Sequence, residues 1–424
     1  MIRIIKDGAE SREEIFSVSE KKIDVSAIVK EIIDTVRKDG DKALKFYAEK
    51  FDKAVLNDLT VSSAEIEQAK QTVDPEFLKV LESAAKNIRA FHEKQKRQGF
   101  SFEPSSGVIV GQKIIPVEKA GLYVPGGTAS YPSTVLMDAI PAKIAGCEQV
   151  VMVTPPDKNG NINPVILAAA SVAGVDKIYK VGGAQAVAAL AYGTETVPKV
   201  DKIVGPGNAF VAEAKRQVFG QVSIDMIAGP SEIMVIADGT NNPKHIAADL
   251  LSQAEHDKLA SAVLLTDSEE FAIKVSEELE RQIPELERSE IARVSIDDNG
   301  KIIITDSISR AVELANAIAP EHLEICVDEP MQYLDKIKNA GSVFLGKNCP
   351  EALGDYLAGT NHTLPTSGTA KFSSPLSVDD FIKKTQYIYY DKNALQSVYK
   401  DVALFAEKEG LTAHAKSATI RFEE

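Results

Sequence analysis

Between residues 121 and 345, short apolar runs alternate with helical patterns, and no other feature restricts the fold so strongly. Strands are expected over 121–124, 149–153, 177–181 and 202–204, with helices between them over 132–146, 163–173, 184–192 and 208–218. A second block repeats the rhythm. Its strands are expected over 232–236, 261–265, 323–327 and 342–345, and its helices over 243–256, 268–283, 308–317 and 330–338. Continuous apolar strands alternating with helices predict parallel sheets covered by helices. Two such blocks predict two similar α/β domains in tandem with a cleft between them.

The flanks read differently. Residues 20–98 are expected to be helical. Asp74-Pro75 is a start signal, an N-cap before a proline at the first helical position. Phe77, Leu81, Ala84, Ile88 and Phe91 follow at helical spacing and predict one apolar stripe. Ser62 with Glu65 has the form of a capping box. Residues 108–110 and 113–115 read as two strands paired with each other. The Gly- and Thr-rich stretch 357–374 contains no clear element, and a long irregular segment of this kind is usually functional. The tail returns to a strand over 385–390 and helices near 393–409 and 411–420, apart from both α/β blocks and able to reach a partner chain.

Charge narrows the partners. The 424 residues carry a net charge of −14, which argues against nucleic acid or an anionic membrane surface, since both require basic patches. The one dense basic run, residues 94–97, reads as a solvated helix end. No apolar run approaches the length of a membrane span, and no signal peptide is expected from the first residues. Cys147, Cys326 and Cys349 are widely spaced and make no CxxC pair, as expected of free thiols in a reducing cytoplasm.

Six histidines limit where imidazole chemistry can occur. Gln253 and His256 stand three apart at the end of a helical pattern and share one face. Glu321 and His322 sit at a helix-to-strand corner, where two bases can serve one site. Asp355 and His362 lie in the Gly-rich loop, and Glu409 and His414 at the junction of the two C-terminal helices. Gln253, His256, Asp355 and His414 together would form a mixed N/O donor set suited to Zn²⁺ or Mn²⁺. Their spacing alone does not establish convergence, and taken singly each pair also reads as a helix cap or a solvated loop. Glycine turns follow several strands, at 126–127, 182–183, 205–207 and 229, and such turns bring backbone N–H groups close to phosphate. No GxGxxG occurs, so dinucleotide binding and simple tight turns both remain open.

Read together, Gly121–Gly127, Val181–Ala186, Val204–Asn208, Ala228–Glu232, Ser252–Asp257, Ala319–Leu323, Gly354-Asp355 with Asn361-His362, and Glu409–His414 resemble the histidinol dehydrogenase family over essentially the whole chain. The resemblance implies oxidation of L-histidinol to L-histidine through L-histidinal in two hydride transfers to NAD. It implies zinc held by Gln253, His256, Asp355 and His414, with proton transfer by Glu321 and His322. Substrate would be bound by Ser231, Gln253, His256, His322, Asp355, His362, Glu409 and His414, and the coenzyme by Tyr123, Gln185 and Asn208. It further implies a cytoplasmic homodimer whose C-terminal segment completes the neighbour's site. The expected division is an N-terminal segment, 1–19; a larger Rossmann-like domain, 20–122 with 233–375; a coenzyme-binding Rossmann-like domain, 123–232; and a dimer-crossing arm, 376–424.

Three rival chemistries have less support in the residues. A zinc hydrolase would use Glu321 or His322 to activate water, but HExxH is absent. A binding protein with a two-domain cleft would leave the adjoining bases without a purpose. A thiohemiacetal mechanism would need a cysteine within the motifs above, and none lies there.

Overall fold

The structure is a computed structural model and describes residues 1–8, 24–126 and 130–423. Contacts divide the chain into two units, Met1–Gln95 with Glu118–Phe381, and Lys96–Val117 with Ile382–Glu424. In chain order the first strands are β1 (Arg3–Lys6), β2 (Phe100–Ser105), β3 (Val108–Pro116), β4 (Lys119–Tyr123) and β5 (Gln149–Thr154). Next come β6 (Lys177–Lys180), β7 (Lys202–Val204), β8 (Ser223–Ile224), β9 (Glu232–Ala237) and β10 (Ser261–Thr266). The last are β11 (Lys301–Ile304), β12 (His322–Cys326), β13 (Ser342–Leu345) and β14 (Ile382–Tyr390).

The larger unit contains two sheets, ordered β6-β5-β4-β7-β8 and β1-β11-β10-β9-β12-β13. Every pairing in both is parallel. Counted within its own block, each sheet has strand order 3-2-1-4-5, the doubly wound arrangement of dinucleotide-binding folds. The expected tandem α/β architecture is therefore present. β1 adds an edge strand beside β11.

Patterning explains the layers. Along β9, Ile233, Val235 and Ala237 enter one core with Leu250, Phe271 and Val275, while Met234 and Ile236 enter the opposite core with Val312 and Leu323. A period of two thus fills both faces. The five-stranded sheet is covered on one side by helices Ser26–Asp39 and Asp41–Tyr47, whose Val29, Ile33 and Leu44 join Val151, Val153 and Leu190 in a single core. Asp74, Asn163 and Asn242 each cap a helix whose first residue is proline, and each side chain accepts a backbone N–H of the first turn. The Ser62–Glu65 capping box forms in full.

Several local expectations are corrected. Residues 108–116 form one strand instead of a hairpin, and this strand pairs antiparallel with both β2 and β14. Gly111 supplies close approach there, not a turn: a Cβ at this position would lie 2.4 Å from the Tyr387 ring. Phe91 is exposed, and His92 is buried in its place. The helix expected over 330–338 is only Met331–Leu334. Beyond it, the Asn316 side-chain Oδ1 accepts the N–H groups of Lys338 and Asn339, and these amides serve no helix. Helix Ser289–Asn299 and strands β1 and β11 were not expected.

In the smaller unit, helices Lys392–Lys408 and Thr412–Thr419 follow β14. Phe100, Phe102, Ile388, Tyr389, Leu404 and Phe405 are exposed on this unit. No described helix is long and apolar enough to cross a membrane.

Candidate active site

The first component is a cavity of 1160 Å³ at the C-terminal ends of the five-stranded sheet, lined by Tyr123, Gln185 and Asn208 among others. Each of these three ends or follows a strand. Tyr123 closes β4, and its hydroxyl accepts the Gly183 N–H at 3.1 Å. Burial pushes that phenol up to about 12, so it stays a neutral donor. Gln185 lies in the first turn of helix Gly183–Tyr192, is 2% exposed, and its Oε1 has no hydrogen-bond partner. Asn208 caps helix Ala209–Val218 through the N–H groups of Phe210 and Val211. Gly127 of the first glycine turn lies outside the described residues.

The turn before Asn208 is held from below. Gly205 N–H donates to Asp225 Oδ2 at 2.8 Å, and Gly205 O accepts from Lys215 Nζ at 2.9 Å. Lys215 and Asp225 pair with each other out of solvent. Gly205 has φ +115°, and a Cβ would lie 2.1 Å from the Tyr123 carbonyl oxygen, so only glycine fits.

The second component lies at the N-terminal edge of the six-stranded sheet. Helix Ile308–Ile318 ends at Ala319, which adopts a left-handed conformation (φ 61°) rare for a residue with a Cβ. Pro320 and Glu321 follow, and His322 opens β12. Glu321 is buried, and its Oε2 accepts the Glu232 N–H at 2.8 Å. Burial, reinforced by the surrounding carboxylates, raises the Glu321 carboxyl well above its ordinary range. His322 Nδ1 lies 2.9 Å from the Glu232 main-chain oxygen. Burial lowers its pKa and favours the neutral ring.

Asp355 is not in a loop as the sequence suggested. It lies on a short helix, Glu351–Tyr356, one turn after Glu351 and on the same face. Glu351 is the site residue that the sequence analysis missed. It is buried, its Oε2 accepts from Ser252 Oγ at 2.9 Å, and the nearby Gln253 side chain helps to hold its carboxyl charged. Its Oε1 lies 3.8 Å from His322 Nε2, and Asp355 Oδ1 lies 3.9 Å from the same nitrogen. Asp355 Oδ1 is also 3.7 Å from His362 Nδ1. Burial and the adjacent Glu351 charge push Asp355 up to about 9. Burial takes His362 down to about 4, with the charge of His322 adding to the effect.

The structure therefore brings Gln253, Glu321, His322, Asp355 and His362 into one neighbourhood. His256 belongs to it electrostatically, since its charge acts on both His322 and His362. Ser231 immediately precedes Glu232 and is half-buried. Helix Pro132–Ala145, which follows β4, reaches the same place, with Thr134 Oγ1 3.3 Å from His362 Nε2. Glu409 and His414 belong to the smaller unit, where both are exposed at helix ends.

The donor set can be tested against a cation. Among the described residues, His322, Glu351 and Asp355 offer ligand atoms all within 4.8 Å of one another. His322 Nε2 and Glu351 Oε1 are buried without hydrogen-bond partners. Two ligands of one tetrahedral zinc stand about 3.4 Å apart, close to the separations seen here. Mixed imidazole and carboxylate donors without thiolate suit a catalytic zinc. Of these three, only Asp355 belongs to the implied zinc set of Gln253, His256, Asp355 and His414; the cluster shows that the pocket beside it is acidic and desolvated, as a divalent cation requires.

The chain is similar to known proteins over nearly its whole length. A family model described as histidinol dehydrogenase matches residues 17–422. The histidinol dehydrogenase of Clostridium acetobutylicum is 55% identical, covering 100% of this chain and 99% of that protein. That of Bacillus cereus (strain ATCC 10987) is 59% identical over 93% of this chain and 92% of its own length. A crystal structure of histidinol dehydrogenase from Elizabethkingia anophelis superposes with a TM-score of 0.94 at 42% identity, covering 99% of this chain and 98% of that one.

Proposed function

The chain belongs to the histidinol dehydrogenase family, and on that premise we propose that it converts L-histidinol to L-histidine through L-histidinal in two NAD-dependent hydride transfers at a zinc site. The observation that carries this reading is the bare Nε2 of His322, buried beside two carboxylates and next to a second buried base, Glu321.

In the first oxidation, neutral His322 accepts the proton of the substrate hydroxyl as hydride leaves the same carbon for the coenzyme. The depressed pKa keeps the ring in its basic form. The resulting aldehyde has no hydride to give until water adds. Glu321, whose proton affinity is raised by burial, takes a proton from that water as its oxygen bonds to the carbonyl carbon. As water adds, His322 returns its first proton to the carbonyl oxygen, which completes the hydrate and restores the neutral ring; the hydrate then loses a second hydride to a second NAD, and His322 accepts the hydroxyl proton. Ser231 and His362 contact the substrate.

Gln253, His256 and Asp355, with His414 from a second copy of the chain, would hold zinc, which supplies a template that orients the substrate's imidazole and amine. The burial of Gln253 and the proximity of Asp355 to the two imidazoles support this set. Tyr123, Gln185 and Asn208 contact the coenzyme, and their common cavity supports that assignment. Exposed apolar side chains on the smaller unit support its packing against a second copy, which would bring Glu409 and His414 to the neighbour's site. Free Cys147, Cys326 and Cys349 support a reducing, cytoplasmic setting.

The division of labour is tested by Glu321→Gln. Oxidation of supplied histidinal should slow more than oxidation of histidinol in single turnovers. Equal slowing of both would contradict the assignment of water activation to Glu321.

A further inference from the structure

Three carboxylates line the coenzyme-side cavity, Asp52, Glu65 and Asp157. Two are committed to the fold. Asp157 Oδ1 accepts the N–H groups of Asn159 and Asn161, each at 2.8 Å, and closes its own loop. Glu65 completes the Ser62 capping box and accepts from Lys180 Nζ at 2.5 Å. Asp52 differs: its Oδ2 is buried without a hydrogen-bond partner. A buried polar atom left unpaired in a folded protein calls for an explanation, and ligand binding is one.

The local backbone sets this carboxylate apart. Asp52 ends a π-helical turn, Ala48–Asp52, and the next residue, Lys53, is left-handed at φ 59°. Single π turns and strained non-glycine residues gather at functional sites. Phe51 stacks on Tyr47 with ring centroids 5.5 Å apart, which braces the turn, and Phe51 itself lines the cavity. The Asp52 charge acts on Tyr123, whose hydroxyl takes the Gly183 N–H at the opening of an otherwise uncapped helix. A pyrophosphate bound at such a helix start would place a ribose near Asp52.

In doubly wound folds, an acidic residue beyond the second strand commonly holds the adenosine ribose. Here the second strand is β5, and the acid that follows it, Asp157, is already occupied. Among the described residues, none that lines the cavity is lysine or arginine, and the nearby Lys180 ammonium is already paired with Glu65.

We propose that Asp52 accepts hydrogen bonds from the adenosine ribose hydroxyls of the coenzyme and thereby discriminates NAD from its 2′-phosphorylated form. This rests on the reading of the cavity as the NAD site. The carboxylate gains the donors it lacks in the free protein, whereas a phosphate of about −1.5 to −2 charge would face it unscreened.

The test titrates zinc-loaded protein with NAD and with NADP by calorimetry, and measures steady-state KM for each coenzyme with histidinol. Asp52→Asn and Asp52→Ala should raise the NAD Kd and KM about tenfold, with kcat within about twofold. The preference for NAD over NADP should fall by at least as much. Asp52→Asn should also raise the Tm of the coenzyme-free protein, which loss of a structural contact would not do. Gln185→Ala reports on the cavity itself. If it weakens NAD while the Asp52 variants change neither coenzyme, the Asp52 assignment is overturned and the cavity reading stands. Equal weakening of NAD and NADP overturns the discriminating role. Unchanged NAD affinity in both Gln185→Ala and the Asp52 variants overturns the cavity reading and the proposal with it.

Discussion

His322 Nδ1 lies 2.9 Å from the main-chain oxygen of Glu232 on the neighbouring strand. A carbonyl oxygen can only accept, so Nδ1 carries the hydrogen and Nε2 keeps a lone pair. The ring is further placed by Phe344, 6.1 Å away between centroids. The parallel register of β9 and β12 thus selects the tautomer that a general base needs, and it aims Nε2 at Glu351 and Asp355.

Removing that lone pair should abolish most turnover while leaving the metal in place. His322→Gln is expected to lower kcat by about 10²–10⁴, with zinc per chain unchanged by metal analysis. A variant within about tenfold of the parent kcat would show that another group takes the proton.

Glu351 accepts from Ser252 Oγ and faces His322 and Asp355. Outer carboxylates of this kind typically change metal affinity by about 10–100-fold when replaced. Glu351→Gln should weaken zinc by that order in competition with a chelator. Unchanged affinity would confine Glu351 to a packing role.

Asp52 gives a pH signature in the coenzyme-free protein. Burial raises its carboxyl to about 6, above the ordinary value of about 3.9. The folded state therefore disfavours the charged form. No penalty exists below the unfolded pKa, and the penalty grows as pH rises until it is complete above about 6. Asp52→Asn should raise Tm at about pH 8 and give little change at about pH 3.5. A Tm difference independent of pH would contradict the buried, unpartnered carboxylate.

Shared sites predict complementation. His414→Asn should lower bound zinc, and His256→Asn likewise. Mixing the inactive His414→Asn and His322→Gln chains should restore part of the activity, because one of the two composite sites in a heterodimer is intact. Absence of recovery despite proven heterodimers would place His414 in its own chain's site.

Much of this was legible in the sequence because buried parallel strands are nearly continuous apolar runs. β7 and β13 were read to the residue, and the N-cap Asp74 marked its helix start. β12 was displaced by one position, which matters because His322 is its first residue. β1 and β11 were missed: each has only four residues, with lysine or arginine among them. Glu351 was missed for a different reason. Its six-residue helix is too short for periodicity, and a glutamate after proline reads as an exposed helix start. Only the tertiary fold buries it against Ser252 and Gln253, about a hundred residues earlier in the chain. The unpartnered oxygens of Gln185 and Asp52 are likewise properties of the folded cavity. No pattern in the sequence reports what a side chain fails to bond.

The central claim is that one site performs both oxidations. The direct measurement is the ratio of NADH formed to histidine formed when zinc-loaded protein turns over L-histidinol with excess NAD. Two NADH per histidine, without free histidinal, is the predicted result. One NADH per histidinol consumed, with aldehyde accumulating in solution, would contradict it.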